Sequence, residues 1–338
     1  MFFRGGMVFF EFFLCNMKKN INFAEVAAFR HFAGCIIIIE ILSKKEEATM
    51  TTVYYKIADH LIEVTMEEEQ AREMSNYQPF LCEKDGEAVL SLTVAKGDCQ
   101  PKAFSQEWRQ EEEGSEIVCG LSGGLPTFIF RWNGKTGGYV VCNKDYSEGR
   151  LTLSGYSEKA TIDNTLMVMY AMATADKHTL LFHSSTVSHN GKAYMFLGVS
   201  GTGKSTHSKL WLKHIAGTIL INDDNPVVRE KDGKTFVYGS PWSGKTPCYK
   251  QVRYELGGIV DLSQAPYNKI RRMKGIEAYL AVSASVSGKR WEKRLADGLH
   301  ESLNTLAMNS EIWHLDCLPD EEAARICCDT VSTGEESC

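Results

Sequence analysis

Between Phe196 and Leu212 the chain reads FLGVSGTGKSTHSKLWL. Gly198, Gly203, Lys204 and Ser205 stand at the spacing G-x-x-x-x-G-K-S, between the apolar run KAYMFLGV and a segment of helical periodicity. Glycines at these places let the backbone turn until N–H groups converge on phosphate oxygens, and the helix N-terminus adds its dipole. Gly198, Ser200, Gly201, Thr202, Gly203, Lys204, Ser205 and Thr206 are therefore expected to cradle a nucleotide's phosphates. Lys204 would reach the β and γ phosphates, and the Ser205 hydroxyl would serve Mg²⁺. Downstream, ILINDDN places Asp223 and Asp224 at the C-terminal end of an apolar strand. One carboxylate can hold Mg²⁺, with Asp223 a metal candidate beside Ser205; the other can accept the proton of an attacking hydroxyl. Both aspartates are catalytic candidates, and adjacent carboxylates repel, which raises the pKa of one.

Other residues offer weaker chemistry. YGSPWSGK, Tyr238 to Lys245, is a second glycine-rich stretch without the phosphate-loop spacing. Its small residues permit close backbone approach, so it is expected to line the site opposite the phosphate loop, with Lys245 as a second cation for the nucleotide. Trp242 would stack on a ligand or close the core, and Arg253 is a lesser candidate. His183, in LLFHSSTV, borders an apolar run, where histidine is usually structural. His189 has no chemical support. His207, just after the phosphate loop, is expected to face solvent or the nucleotide base.

Elements must position these groups. From Met50 to about Gly155, TVYYKIA, HLIEVTM, EAVLSLTVA, TFIFRW, GYVVCN and GRLTLSG are short runs rich in β-branched and aromatic residues. They predict an antiparallel sheet, with NGKTG as a hairpin connection and the acidic SQEWRQEEEGSE as a solvated loop or edge. ATIDNTLMVMYAMATADKH has helical spacing, with Thr161 or Asp163 as its cap. A second hairpin, around HNGK, leads into the phosphate loop. STHSKLWLKHI then predicts a helix, GTILIND a strand, KDGK a hairpin and LGGIVDLS a buried strand. KGIEAYLAVSASV and RWEKRLADGLHESLNTLAM predict helices, EIWHLD a strand, and PDEEAARICCDTV a helix with Pro at its start. The organisation this suggests is an N-terminal extension at 1–49, a β-rich region at 50–155 and a nucleotide-binding domain at 156–332.

The whole chain narrows the partners. It has 338 residues, a net charge of −6 and 43% hydrophobic residues, enough for a sizeable core and against broad electrostatic binding to nucleic acid or an anionic membrane. Eleven cysteines form no CxxC pair, which fits free thiols in a reducing cytosol. The apolar stretches MFFRGGMVFFEFFLC and CIIIIEIL are interrupted by Glu11 and Glu40 and fall short of the roughly 20 apolar residues of a membrane span. Residues 1–49 differ so much in composition that Met50, or Met17, is expected to be the start of the working protein. The expected location is cytoplasmic.

The order of a histidine, a hairpin, GVSGTGKST and an Asp–Asp pair resembles the HPr kinase/phosphorylase family and, more distantly, ATP-dependent phosphoenolpyruvate carboxykinase. The likeness runs from about Leu180 to Ser283 and is most specific at the phosphate loop and Asp223–Asp224. It implies an α/β fold like the HPr kinase C-terminal domain, with a phosphate loop on a mixed sheet, here preceded by a β-rich N-terminal region. It implies a catalytic role for His183, fifteen residues before Gly198, in orienting an aspartate or touching the transferred phosphate. Through IRRMKGIEAYLAV it makes Arg271 or Arg272 a phosphate-facing candidate. Residues 50–155 show no likeness to that family's regulatory N-terminal domain, and its ARGLG-type signature is not intact, so HPr is not implied as the acceptor. The expected function is an ATP- and Mg²⁺-dependent kinase acting on a hydroxyl, such as a serine in a protein, peptide or small molecule. The alternatives are a non-catalytic, nucleotide-gated binding module and a simple nucleotide hydrolase. A homo-oligomer is compatible with the resemblance.

Overall fold

The computed structural model describes residues 49–244 and 246–334. The expectation for the N-terminal extension, and the candidate Lys245, lie outside the described residues apart from Thr49. Among the described residues the chain is a mixed α/β structure with two nine-stranded sheets.

The first sheet is built from β1 (Met50–Ile57), β2 (His60–Glu67), β3 (Leu81–Cys82), β4 (Leu90–Lys96), β5 (Phe104–Glu112), β6 (Ser115–Ser122), β7 (Leu125–Trp132), β8 (Lys135–Cys142) and β9 (Glu148–Leu153), in the order β3-β1-β2-β4-β9-β8-β7-β6-β5. The expected antiparallel sheet is in fact mixed, because β2–β4 and β4–β9 are parallel. The meander β5 to β8 lies between β4 and β9 in sequence and satisfies its own ladder. The second edge of β4 is thereby left to a strand that returns from a distance. The acidic stretch is an edge strand, β5, paired among the described residues only with β6 and exposed along most of its length.

The helix that follows, α1 (Glu158–Thr174), starts at Ser157 rather than at Thr161 or Asp163. Glu158 occupies the first turn, where a negative charge suits the helix dipole. Thr161 lies inside the helix and donates its hydroxyl back to the Ser157 carbonyl at 2.8 Å.

The second sheet contains β10 (Thr179–Leu181), β11 (Ser185–His189), β12 (Lys192–Leu197), β13 (Ile219–Asn222), β14 (Val227–Lys231), β15 (Lys234–Tyr238) and β16 (Arg253–Gln264), in the order β10-β14-β15-β16-β12-β11-β13. Two further strands, β17 (Lys269–Arg272) and β18 (Ile312–Cys317), extend it beside the C-terminal half of β16. Asn133–Gly134, Asn190–Gly191 and Asp232–Gly233 all have positive φ, the backbone that a two-residue hairpin of matching twist requires.

Strand period decides the layers. In β12, Ala193, Met195 and Leu197 join the main core, while Tyr194 and Phe196 join a second cluster with Trp211, Trp313 and Cys327. The main core is continuous from Tyr55 and Leu92 of the first sheet, through Leu166 and Tyr170 of α1, to Met195 and Ile259 of the second. On the far face lie α2 (Lys204–His214) and the C-terminal helix, α5 (Glu321–Thr333). That helix is capped by Asp320, whose carboxylate accepts the Ala323 N–H, so Pro319 precedes the cap rather than opening the helix. Two more helices, α3 (Gly275–Ala284) and α4 (Lys293–Asn309), lie between β17 and β18 in sequence. No helix among the described residues is long and apolar enough to cross a membrane.

Candidate active site

The glycine loop leaves the C-terminal end of β12, whose last residue, Leu197, pairs in parallel with Asp261 of β16. Ligands of open α/β sheets collect outside the carboxyl ends of such strands. Gly198 has φ +137° and Gly203 has φ +111°, values that side chains rarely adopt. A Cβ on Gly198 would also stand 3.1 Å from the Leu262 carbonyl oxygen and 3.2 Å from Thr202. Gly203 caps α2, so the first helical residues, Lys204, Ser205 and Thr206, put their N–H groups at the loop. The Thr202 hydroxyl donates to the Val199 carbonyl at 2.7 Å, and the Gln264 side chain donates to the carbonyls of Gly201 and Thr202. The Lys204 ammonium donates to the carbonyls of Gly198, at 2.9 Å, and Val199, at 3.3 Å.

The aspartate pair is held by its own turn. The Asn222 side chain accepts the Asp224 N–H at 2.9 Å, and the Ser243 hydroxyl accepts the Asp223 N–H at 3.3 Å. The two carboxylates then part. Asp223 accepts the Ser185 hydroxyl at 2.5 Å, and Ser185 lies 2.6 Å from the Ser208 hydroxyl of α2. Asp224 turns to His183, with Nδ1 and Oδ1 3.4 Å apart. His183 and Ser184 are placed by backbone bonds, the first to the Ser285 carbonyl and the second to the Asp224 carbonyl.

Electrostatics follow from this packing. Burial raises the Asp224 pKa, the nearby His183 opposes that rise, and the charges of Glu112 and Asp223 add to it. Burial also lowers the His183 pKa, helped by Lys204. Lys204 is lowered by burial, against the pull of Asp224, Glu112 and Asp223. Burial thus favours the neutral form of both partners, and their mutual attraction works against it.

The expected residues are sorted by the fold. Lys204, Asp223, Asp224 and His183 are brought together. His207 is only 2% exposed and lies against Phe196, with Trp211 Nε1–H donating to its Nε2. It belongs to the core, not to solvent or a base, because α2 turns that face onto the sheet. Burial pulls its pKa down to about 4. His189 packs edge-on against Trp211. Trp242 is a core residue, donating Nε1–H to the Tyr77 hydroxyl at 2.8 Å, so it does not stack on a ligand. Arg271 forks onto Glu277 and Arg272 pairs with Glu311. Arg253 lies over the Phe236 ring and near Asp59.

Sequence reasoning missed three contributors. Ser185 and Ser208 fix Asp223, and the hydroxyl-rich HSSTV after His183 was the available signal. Glu112, at the end of edge strand β5, accepts the Ser200 hydroxyl at 3.3 Å and so brings the first sheet to the glycine loop. No local pattern links an acidic hairpin to a loop 88 residues away.

Mg²⁺ suits this donor set. The ion commonly takes one or two protein oxygens and completes its shell with water and substrate phosphates. Ser205, in the first turn of α2, and Asp223, after β13, are the residues that would offer such oxygens.

No protein-family model matches the chain, and no curated protein is significantly similar to it. Among solved structures it aligns with the HPr(Ser) kinase/phosphatase from Coxiella burnetii at 11% identity and a TM-score of 0.29, over 46% of this chain and 89% of that one. Likeness at that level does not by itself fix the fold.

Proposed function

We propose that this protein is a phosphotransferase that moves the γ-phosphoryl group of ATP to a hydroxyl, such as the side chain of serine in a protein, peptide or small molecule. The observation that carries this reading is the meeting of Asp224 and His183, 3.4 Å apart, beside the lysine of a glycine loop. A protein that only binds nucleotide has no need of a partly buried carboxylate with a raised pKa at that place. Gly198 to Thr206 bind and orient the phosphates, and Lys204 offsets their charge. Mg²⁺, held by Ser205 and Asp223, supplies further charge neutralisation when bound. Asp224 accepts the acceptor's proton as its oxygen bonds to phosphorus and the β–γ bridge opens to give nucleoside diphosphate. His183 orients Asp224. Asp223 is engaged by Ser185, which supports Asp224 as the base.

The test is incubation with γ-labelled ATP, Mg²⁺ and a cell extract, beside Asp224→Asn and Lys204→Ala. A labelled acceptor is expected with the wild type, and a loss on the order of 100-fold or more with each variant. Asp224→Asn should still bind nucleotide. A wild type that binds ATP but labels nothing and hydrolyses none would sink the proposal in favour of a gated binding module.

A further inference from the structure

Strand β5 ends the first sheet, and among the described residues nothing is paired to its outer edge. Every residue from Ser105 to Glu112 is exposed. An open edge of this length is a template for another extended chain. Its side chains select which chain. Three of its four charged residues are acidic, Glu107, Glu111 and Glu112, against the single Arg109. Arg109 already lies 3.7 Å from both Glu111 and Glu116. The edge is therefore guarded against pairing with a second copy of itself, since carboxylates would oppose carboxylates. The same charge complements a cationic strand.

The strand also has a direction. One end is anchored, with Glu107 accepting from the buried Lys289 ammonium at 3.0 Å. Next to it Trp108 and Trp291, both about half exposed, stand with ring centroids 6.0 Å apart. The other end, Glu112, is in contact with Ser200 of the glycine loop. Trp108 and Glu112 share a strand face and are roughly 13 Å apart, at about 3.3 Å per residue. A segment laid along β5 would thus rest on the tryptophan pair and run into the site.

We infer that β5 is the docking strand for the acceptor, an extended cationic polypeptide segment that adds to its open edge and presents a hydroxyl residue beside Asp224. Backbone pairing supplies affinity, and the carboxylates supply the preference for lysine or arginine around the acceptor residue. The inference rests on the phosphotransferase reading for its hydroxyl, but the docking can be measured without any transfer.

Amide hydrogen exchange of the full chain would be followed without nucleotide, with and without a short synthetic peptide alternating lysine and valine around a central serine. Exchange across β5 is expected to slow by about tenfold or more, as for newly paired strand amides. Replacing the lysines by glutamates, or methylating alternate peptide amides, should remove the effect. These controls alter the peptide and leave the protein's folding untouched. Unchanged exchange in β5, or equal protection by either control peptide, overturns the proposal. So does protection that appears without peptide and grows with protein concentration, which makes a second copy the occupant. A parallel incubation with labelled ATP and Mg²⁺ separates the two readings. Protection of β5 without label on serine keeps the docking strand and counts against the phosphotransferase; label without protection does the reverse.

Discussion

Two glycine- and serine-rich loops flank the aspartate pair, and they are built for opposite ends. In the first, 198–203, three glycines take positive φ, and the helix begins where the loop stops, so its leading N–H groups stay available. In the second, 239–244, Gly239 and Gly244 have ordinary φ, and the polar groups are spent internally. The Ser240 hydroxyl donates to the Asn225 carbonyl at 2.5 Å and accepts from Asn222 at 3.1 Å and from the Trp242 N–H at 3.2 Å. Gly239 sits where a Cβ would meet the Lys250 carbonyl oxygen at 2.1 Å, and Gly244 where it would stand 3.2 Å from Asp224. One loop uses glycine to turn the backbone so that the first N–H groups of a helix face outward. The other uses it to let backbone pack under the carboxylates. Glycine content alone does not separate a cradle from a support; the sign of φ and the fate of the N–H groups do.

That contrast can be broken at several points. Trp242→Ala, in the supporting loop, should reduce stability by about 3–5 kcal/mol, as expected for a large buried aromatic, read as a shift in denaturant midpoint. Equal stability of the variant would mean the second loop supports nothing. Lys204→Ala, in the cradle, should do the opposite. Transfer should fall by about 10²–10³-fold, the effect of removing one transition-state donor, while the denaturant midpoint stays near that of wild type.

Acid should act through the helix that begins at the cradle. The His207 pKa is depressed from 6.5 to about 4 by burial, so the unfolded chain binds the extra proton first. The neutral histidine's contribution is complete above pH 6.5 and is lost as pH falls toward 4, up to about 3 kcal/mol at about 1.36 kcal/mol per unit. His207→Gln should flatten that decline; an unchanged stability profile contradicts the burial.

The smallest effect belongs to Glu112. Its charge helps to raise the Asp224 pKa, after burial. Glu112→Gln should therefore move the acid limb of the transfer rate to lower pH by less than about one unit. A limb that does not move removes Glu112 from the site's electrostatics.

Much of the site was legible because it is local. The loop's glycines, Lys204 and Ser205 lie within eight residues, and Asp223–Asp224 close an apolar strand. The hairpins at Asn190–Gly191 and Asp232–Gly233 were legible for the same reason, since a two-residue turn needs positive φ at adjacent positions. Errors arose where a residue's surroundings come from elsewhere. His207 follows the loop closely in sequence, yet Phe196 and Trp211 enclose it. Thr161 looked like a cap, but its hydroxyl bonds within the helix. Arg271 lies in a basic run, but Glu277 and the strand β17 decide where it points.

The sequence by itself determined the phosphate-loop spacing, the alternating strands and the tight turns, because each depends on backbone preferences over a few residues. Tertiary structure alone decided which aspartate meets His183, which histidine is buried, and that the first sheet reaches the glycine loop through Glu112. Those outcomes depend on the crossing of strands far apart in the chain. A carboxylate's environment is set by what packs around it, not by its sequence neighbours: Asp223 and Asp224 are adjacent, yet one is bound to Ser185 and the other faces His183.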